Sequence, residues 1–209
     1  SNNGMGNSTV SRLVIDPRYN NVVFAATAGG IYKSTDSGAN WTKNASGNFK
    51  DMVFRPGNPD VIYAMSNGTY FKSTDNGETF VQGAPGLITA SRGALAVPPA
   101  NPDVVYAFLT NDDSFKGLYR SDDGGDSFMV MSTSPNIMSW DCNGGSGGQA
   151  WYDLDMAADP TNPDIIYGGG VNCFKSTNGG SSWSIRSHWY GGCSVQSVHA
   201  DLHVLEYSP

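Results

Sequence analysis

Apolar and polar positions alternate along this chain in short runs, broken by clusters of Asn, Pro, Asp, Ser, Thr and Gly. One order of run and turn comes back four times. LVIDPRYNNVVFAATAGGIYKSTDSGANW (13–41) is matched almost without gaps by MVFRPGNPDVIYAMSNGTYFKSTDNGETF (52–80). A third copy, LAVPPANPDVVYAF (95–108) continuing in GLYRSDDGGDSF (117–128), carries a hairpin insertion around Asp112, Asp113 and Ser114. The fourth is MAADPTNPDIIYGGGVNCFKSTNGGSSW (156–183). Each copy holds an apolar segment ending in Pro, a turn of the Asn-Pro-Asp kind, an alternating strand such as VVYAF and a second strand such as GIYKS. A Gly-bearing turn and a strand opened by Trp or Phe complete it. Copies of roughly 40 to 50 residues with about four short strands each predict a radial β architecture.

The predicted fold class is therefore all-β, a β-propeller segment of four blades plus the first strand of a fifth. The blades fall near 10–48, 49–90, 91–133 and 152–197, with an insertion loop over 134–151 and the start of the next blade over 198–209. HVLEYSP (203–209) supplies that last strand, its Pro209 aligned with Pro17, Pro56, Pro99 and Pro160. It either closes the ring against the first blade or opens another blade. The second is favoured, which makes the chain part of a larger propeller, and Ser1 in place of an initiator Met agrees.

Composition sharpens this picture. The 26 Gly and 11 Pro of 209 residues demand many turns, and the acidic side chains are 17 Asp against only Glu78 and Glu206, where a helical protein favours Glu. A net charge of −7 with no Lys/Arg cluster argues against a phosphate-tracking surface, so nucleic acid is excluded as a partner. No run approaches the roughly 20 apolar residues of a membrane helix, so membrane insertion is not expected.

The repeated turn reads S-x-D-x-G-x-x-W/F, at Ser34 to Trp41, Ser73 to Phe80, Ser121 to Phe128 and Ser176 to Trp183. A short acceptor at its third position can bond backbone N–H groups of its own turn, Gly can take positive φ, and the aromatic packs under the hairpin. These residues resemble the Asp-box, or BNR repeat, of sialidases, sortilin-type receptors and glycoside hydrolase family 74 xyloglucanases. The resemblance implies a structural role for Asp36, Asp75, Asp123 and Asn178 and for the aromatics Trp41, Phe80, Phe128 and Trp183. Asn178 fits that role, because an acceptor suffices where a catalytic carboxylate would not be replaceable.

The same resemblance frames the enzyme readings. Sialidases imply an arginine triad, but Arg55, in Phe54-Arg55-Pro56, occupies the repeat position of Asp16 and Asp159 and reads as a strand-end residue. Family 74 implies two carboxylates facing across a cleft, roughly 6.5 to 9.5 Å apart for an inverting reaction. Where that family carries an Asp, this chain has Arg12. The second half also resembles large secreted surface proteins of Bacteroidetes, which implies export and a secreted or cell-surface location.

Candidate chemistry sits where the loops leave the repeat. Residues 132–155 hold Trp140, Asp141, a Gly/Ser run from Gly144 to Gly148, and Trp151, Tyr152 and Asp153; a second departure after the fourth turn holds Trp189 and Tyr190. Trp and Tyr stack on the flat apolar faces of sugars while Asp, Asn and Gln bond the hydroxyls, so these residues form a candidate polysaccharide platform, with packing of the loops on each other as the equal alternative. If 199–203 is a strand, His199, Asp201 and His203 share one face and are candidate metal ligands; no other cofactor is implied. In an exported protein two of the three cysteines are expected to pair, and Cys142 with Cys193 is preferred because both lie in insertions, while Cys173 lies in a strand. The preferred function is a binding or adhesion module, partnered by polysaccharide or a surface protein and by the remainder of the propeller. The alternatives are a xyloglucanase-like hydrolase and a structural propeller in a larger surface or filament assembly.

Overall fold

The turns of this chain close themselves with their own side chains, and the strands follow from them. In the second repeat the Ser73 hydroxyl donates to Asp75 Oδ1 (2.8 Å) and accepts from Gly77 N (2.9 Å), while Asp75 Oδ1 accepts from Thr79 N (2.9 Å). The same three bonds recur around Ser34 and Asp36, Ser121 and Asp123, and Ser176 and Asn178. Each turn thus satisfies amides that no strand can reach.

The computed structural model describes residues 2–207. It contains strands β1 Val10–Ile15, β2 Val23–Thr27, β3 Gly30–Ser34, β4 Thr42–Ala45, β5 Phe49–Arg55, β6 Asn58–Ser66, β7 Thr69–Ser73 and β8 Val81–Gln82. There follow β9 Arg92–Ala96, β10 Val105–Asn111, β11 Ser114–Ser121, β12 Met129–Ser132, β13 Asp155–Ala158, β14 Ile166–Gly169, β15 Cys173–Ser176, β16 Ser184–His188 and β17 Gln196–Ser197. No helix is present among the described residues. The strands form four sheets in simple up-and-down order, β1-β2-β3-β4, β5-β6-β7-β8, β9-β10-β11-β12 and β13-β14-β15-β16, with β17 added in parallel to the last. The first strands β1, β5, β9 and β13 touch in succession, so they line a common axis.

The core lies between sheets. Phe24, Ala26 and Ile31 of the first sheet pack on Phe49, Met52 and Ile62 of the second. Tyr63, Met65 and Tyr70 of the second meet Leu95, Leu109 and Phe128 of the third, and Phe108, Phe115 and Leu118 of the third meet Met156, Ile166 and Phe174 of the fourth. The turn glycines make this approach possible. Gly77 has φ +74°, and a Cβ there would overlap the Phe24 ring of the preceding sheet; Gly125 lies the same way on Tyr63 and Tyr70, and Gly180 on Leu118. Ion pairs seal the outside of each seam, Lys33–Glu78 (2.6 Å), Lys72–Asp126 (2.6 Å) and Arg120–Asp164 (2.5 Å).

Among the described residues the first sheet has no such neighbour on its other side. Leu13 is 59% exposed, although its repeat equivalents Met52 and Leu95 are buried at 0% and 2%, and Ile15 is 57% exposed where its equivalents Phe54 and Val97 are half-buried. Met5 covers only Ala25, Tyr32 and Trp41 on that face. At the other end, residues 202–207 do not form a strand, but Leu205 N donates to Asp155 Oδ2 (2.6 Å), as Leu95 N of β9 does to Asp51 Oδ2 of β5 (2.7 Å). Leu205, in the segment expected to open a further blade, thus makes to β13 the bond that Leu95 makes to β5. Pro209, on which its alignment rested, lies outside the described residues.

The seam glycine gives a graded test. Gly77→Ala adds both left-handed strain and overlap with Phe24, and is expected to cost roughly 2–4 kcal/mol. Gly57→Ala, also at positive φ (+76°) but with open space around it, is expected to cost about 1 kcal/mol. Denaturant midpoints of the two variants check the order; equal costs would mean that packing across the seam contributes nothing.

Candidate functional site

The first strands carry polar side chains towards the axis, and there the molecule is hollow. A cavity of about 500 Å³ is bounded by Arg12 of β1, Lys50 and Asp51 of β5, Arg92 of β9 and Asp155 of β13. Trp151, Tyr152 and His203 form part of its wall.

Asp51 and Asp155 occupy the same repeat position, immediately before Met52 and Met156, and act alike. Asp51 Oδ1 accepts from Met52 N (2.8 Å) and lies 3.6 Å from Arg12 Nε, while Oδ2 bonds Leu95 N. Asp155 Oδ1 accepts from Met156 N (2.9 Å) and Oδ2 from Leu205 N. Burial pushes both carboxyls up against these bonds, Asp155 to about 6, with the negative charge of Asp51 adding to its shift. The turn carboxylates go the other way. Hydrogen bonds from Asn40 and Ser34 hold Asp36 at about 2, and those from Ser121 and Ser127 hold Asp123 well below the usual range.

The cations of the cavity are less engaged. Arg92 Nη1 donates to Ala150 O (3.1 Å), and among the described residues its guanidinium makes no ion pair. Lys50 has neither hydrogen bond nor ion pair there. Burial lowers the pKa of Arg92, against the fields of Asp153, Asp155 and Asp51.

The aromatic residues singled out in the sequence separate into two groups. Trp151 and Tyr152, 66% and 48% exposed, lie against each other at 5.5 Å between ring centroids, and His203 meets the Tyr152 ring edge-on at 4.8 Å. Trp140, Trp189 and Tyr190 form a separate cluster, with Trp140–Trp189 at 6.4 Å and Trp189–Tyr190 at 4.7 Å. It surrounds the buried His188, whose Nε2 sits 3.1 Å from Trp140 O and whose Nδ1 accepts from Gly192 N (3.2 Å). A Cys142–Cys193 disulfide, 5.8 Å between Cα atoms, ties the two loops together beneath it. Cys173 is free and buried in β15, and burial pushes its thiol up to about 11. Asp141 is exposed beside Trp140, whereas Asp153 points inward, fully buried, with Oδ2 bonded to Gln149 Nε2 (2.8 Å).

The candidate metal set requires correction. Residues 199–203 are not a strand, because Asp201 takes φ +75° and breaks the alternation that would align the three side chains. His199 is exposed, Asp201 Oδ1 accepts from Gln149 Nε2, and His203 turns to Tyr152. Among the described residues the only three potential ligands brought together are Cys142, His188 and Cys193, two of them already in the disulfide. Lys50, Asp51, Arg92 and Asp155 were not singled out from sequence. The recurrence of Asp before Met at the start of two repeats was the available signal.

No protein-family model matches the sequence, and no relative is found among curated proteins. Among solved structures, an ancestral GH74 enzyme superposes with a TM-score of 0.65 at 22% identity, over 88% of this chain and 24% of that one. The extracellular domain of a two-component system protein of Bacteroides thetaiotaomicron gives 0.59 at 14%, over 87% and 22%. An auxiliary nutrient binding protein of the same organism gives 0.58 at 12%, over 85% and 41%. The chain is a segment of a β-propeller. It spans less than half the length of each of these proteins, and at these identities the likeness is one of fold.

A raised carboxyl burdens the fold only where it ionises. That burden is nearly absent at pH values below the unfolded carboxyl's and complete above the folded value of about 6. Asp155→Asn removes it, so the stability of the variant relative to wild type is expected to rise by about 2 kcal/mol between pH 4 and pH 7.5. Paired urea unfolding at both pH values checks this; a flat difference would show that Asp155 titrates normally.

Proposed function

We propose that this propeller segment binds polysaccharide in a secreted or cell-surface protein, with Trp151 and Tyr152 as the sugar-stacking pair at the mouth of the axial cavity. The observation that carries this reading is the exposure of two adjacent large aromatics beside a polar hollow. Apolar side chains of this segment that serve as loop packing turn under the loop, as Ile137, Met138 and Ala150 do, whereas Trp151 and Tyr152 stay out in solvent. An aromatic platform next to hydrogen-bonding side chains suits a ligand with apolar faces and hydroxyl edges. The loop-tying disulfide, together with likeness to an extracellular domain and a nutrient binding protein, supports an exported location. Further blades of the same propeller are the partner expected to cover Leu13 and Ile15, since the matched proteins are several-fold longer.

A hydrolytic reading has one observation in its favour. Asp51 and Asp155 border a single cavity, and a carboxyl held at about 6 suits a general acid. Binding is preferred because both oxygens of each carboxylate already accept backbone N–H groups, which leaves neither poised towards a glycosidic oxygen.

Trp151→Ala is expected to weaken polysaccharide binding at least tenfold, the loss of one stacked ring, whereas Trp189→Ala in the separate cluster leaves it unchanged. Affinity electrophoresis through gels holding a panel of plant and algal polysaccharides measures both. Mobility that is the same for wild type and Trp151→Ala in every gel would remove the reading. Release of reducing sugar by wild type, lost in Asp155→Asn, would replace it with hydrolysis.

A further inference from the structure

The protein is acidic overall, with a net charge of −7, yet its axial cavity is bounded by three cations. At the seams Arg18, Lys33, Arg55, Lys72 and Arg120 pair with carboxylates, whereas Lys43, Lys116, Lys175 and Arg186 make no ion pair among the described residues. Lys50 and Arg92 are also without an ion pair there, and they alone of these unpaired cations border the cavity. Arg92 uses one of its five N–H donors, on Ala150 O, and Lys50 uses none of its three among the described residues. The carboxylates nearby do not compensate them at close range. Asp51 is taken by Arg12 and by two backbone amides, Asp155 by the amides of Met156 and Leu205, and Asp153, whose charge also reaches Arg92, bonds Gln149 and makes no ion pair with that guanidinium.

The two free cations also flank the aromatic platform. A second depression of about 160 Å³ adjoins the cavity and shares Lys50, Arg92 and Trp151 with it, so one continuous groove passes the Trp151 ring with a cation available on either part of its length. Its single carboxylate, Asp112, accepts from Ser91 Oγ (3.3 Å) at the hairpin tip. An uncharged sugar chain would leave the half-buried guanidinium of Arg92 desolvated and unpaired, a costly arrangement. An anionic group set beside the stacked ring would complete it with charge-assisted bonds, strengthened by the poorly hydrated wall.

We propose that the groove selects an anionic polysaccharide, in which a sugar face stacks on Trp151 while a carboxylate or sulfate group is held by Arg92 and Lys50. This rests on the polysaccharide reading above and specifies its ligand class. Uronate and sulfate esters offer the same acceptor chemistry, so the test carries both.

Binding of the whole chain to polygalacturonate, to a sulfated galactan and to a neutral β-glucan is measured by isothermal titration at low and high salt. The expected result is at least tenfold tighter binding of one polyanion than of the neutral glucan, and which polyanion binds identifies the group. Lys50→Gln and Arg92→Gln are each expected to lose about tenfold for that polyanion, with the loss shrinking at high salt. Lys50 has no partner whose loss could unfold the chain, so it keeps the test valid if Arg92→Gln proves unstable. Arg186→Gln, away from the groove, is expected to bind as wild type; an equal loss there would mean diffuse attraction and overturn the site. Neutral glucan bound as tightly as the polyanions, still through Trp151, would overturn the charge selection and leave the polysaccharide reading intact. Absence of binding to all three polymers would overturn both.

Discussion

Everything in this molecule depends on a backbone approach that only glycine allows. The turn between the third and fourth strand of one sheet is laid on the core of the sheet before it, with Gly77 on Phe24, Gly125 on Tyr63 and Tyr70, and Gly180 on Leu118. Such an approach would strand backbone amides in an apolar seam unless the turn supplied its own acceptors. The Ser–Asp pair does so, and the amide of the glycine itself is bonded by the serine hydroxyl. The shared form of the turns is therefore one requirement met at three seams: a self-satisfied loop thin enough to enter them. The tyrosines then use the carbonyls that remain, Tyr63 Oη donating to Gly124 O (3.0 Å) and Tyr70 Oη to Gly125 O (3.1 Å).

Radial packing by the turns frees the axial edge for other uses. First strands of successive sheets diverge around a hollow; Asp51 bridges β5 to the Leu95 amide of β9, and Asp155 reaches from β13 to the amide of Leu205. These bridges hold carboxyls in poor solvent, which explains why their pKa values rise while those of the turn carboxylates, rich in donors and better hydrated, fall. The two sets oppose each other in pH dependence. Protonation of the turn carboxylates removes stability only at strongly acid pH, whereas ionisation of Asp155 removes some as pH climbs through about 6.

The architecture was legible because it is written four times. A turn of fixed form, an apolar segment ending in Pro and strands of period two all predict the same sheets, and repetition cancels the local ambiguity of any single strand. The segment 199–203 shows the limit. It occurs once, its His-x-Asp-x-His pattern suits a strand, and one positive φ at Asp201 undoes the alternation. The axial cavity was invisible for a related reason: Arg12, Lys50, Arg92 and Asp155 are far apart in sequence and meet only when the sheets are arranged around the axis. The aromatic loops were recognisable as departures from the repeat, but not their division into a group at the cavity and a group over the disulfide.

That division bears on how the loops work together. The loop that carries Trp140, Trp151 and Tyr152 is anchored by Ile137, Met138, Ala150 and Leu154, all buried in the core between the third and fourth sheets. Asn136 fastens the Gly/Ser run across its width, donating through Nδ2 to Gly145 O and Gly147 O (both 2.9 Å). The disulfide and His188 pin the far end at Cys142 and Trp140. A glycine-rich stretch that would otherwise be loose is held at both ends and in the middle, so Trp151 and Tyr152 are presented from a fixed base. A ligand of the proposed kind stacking on such a base would forfeit little conformational entropy, and the affinity of the stacked ring would be realised more fully than on a free loop. The polar residues of the Trp140 cluster thus have a reason to be where they are without touching a ligand: they hold the loop whose other end reaches the cavity.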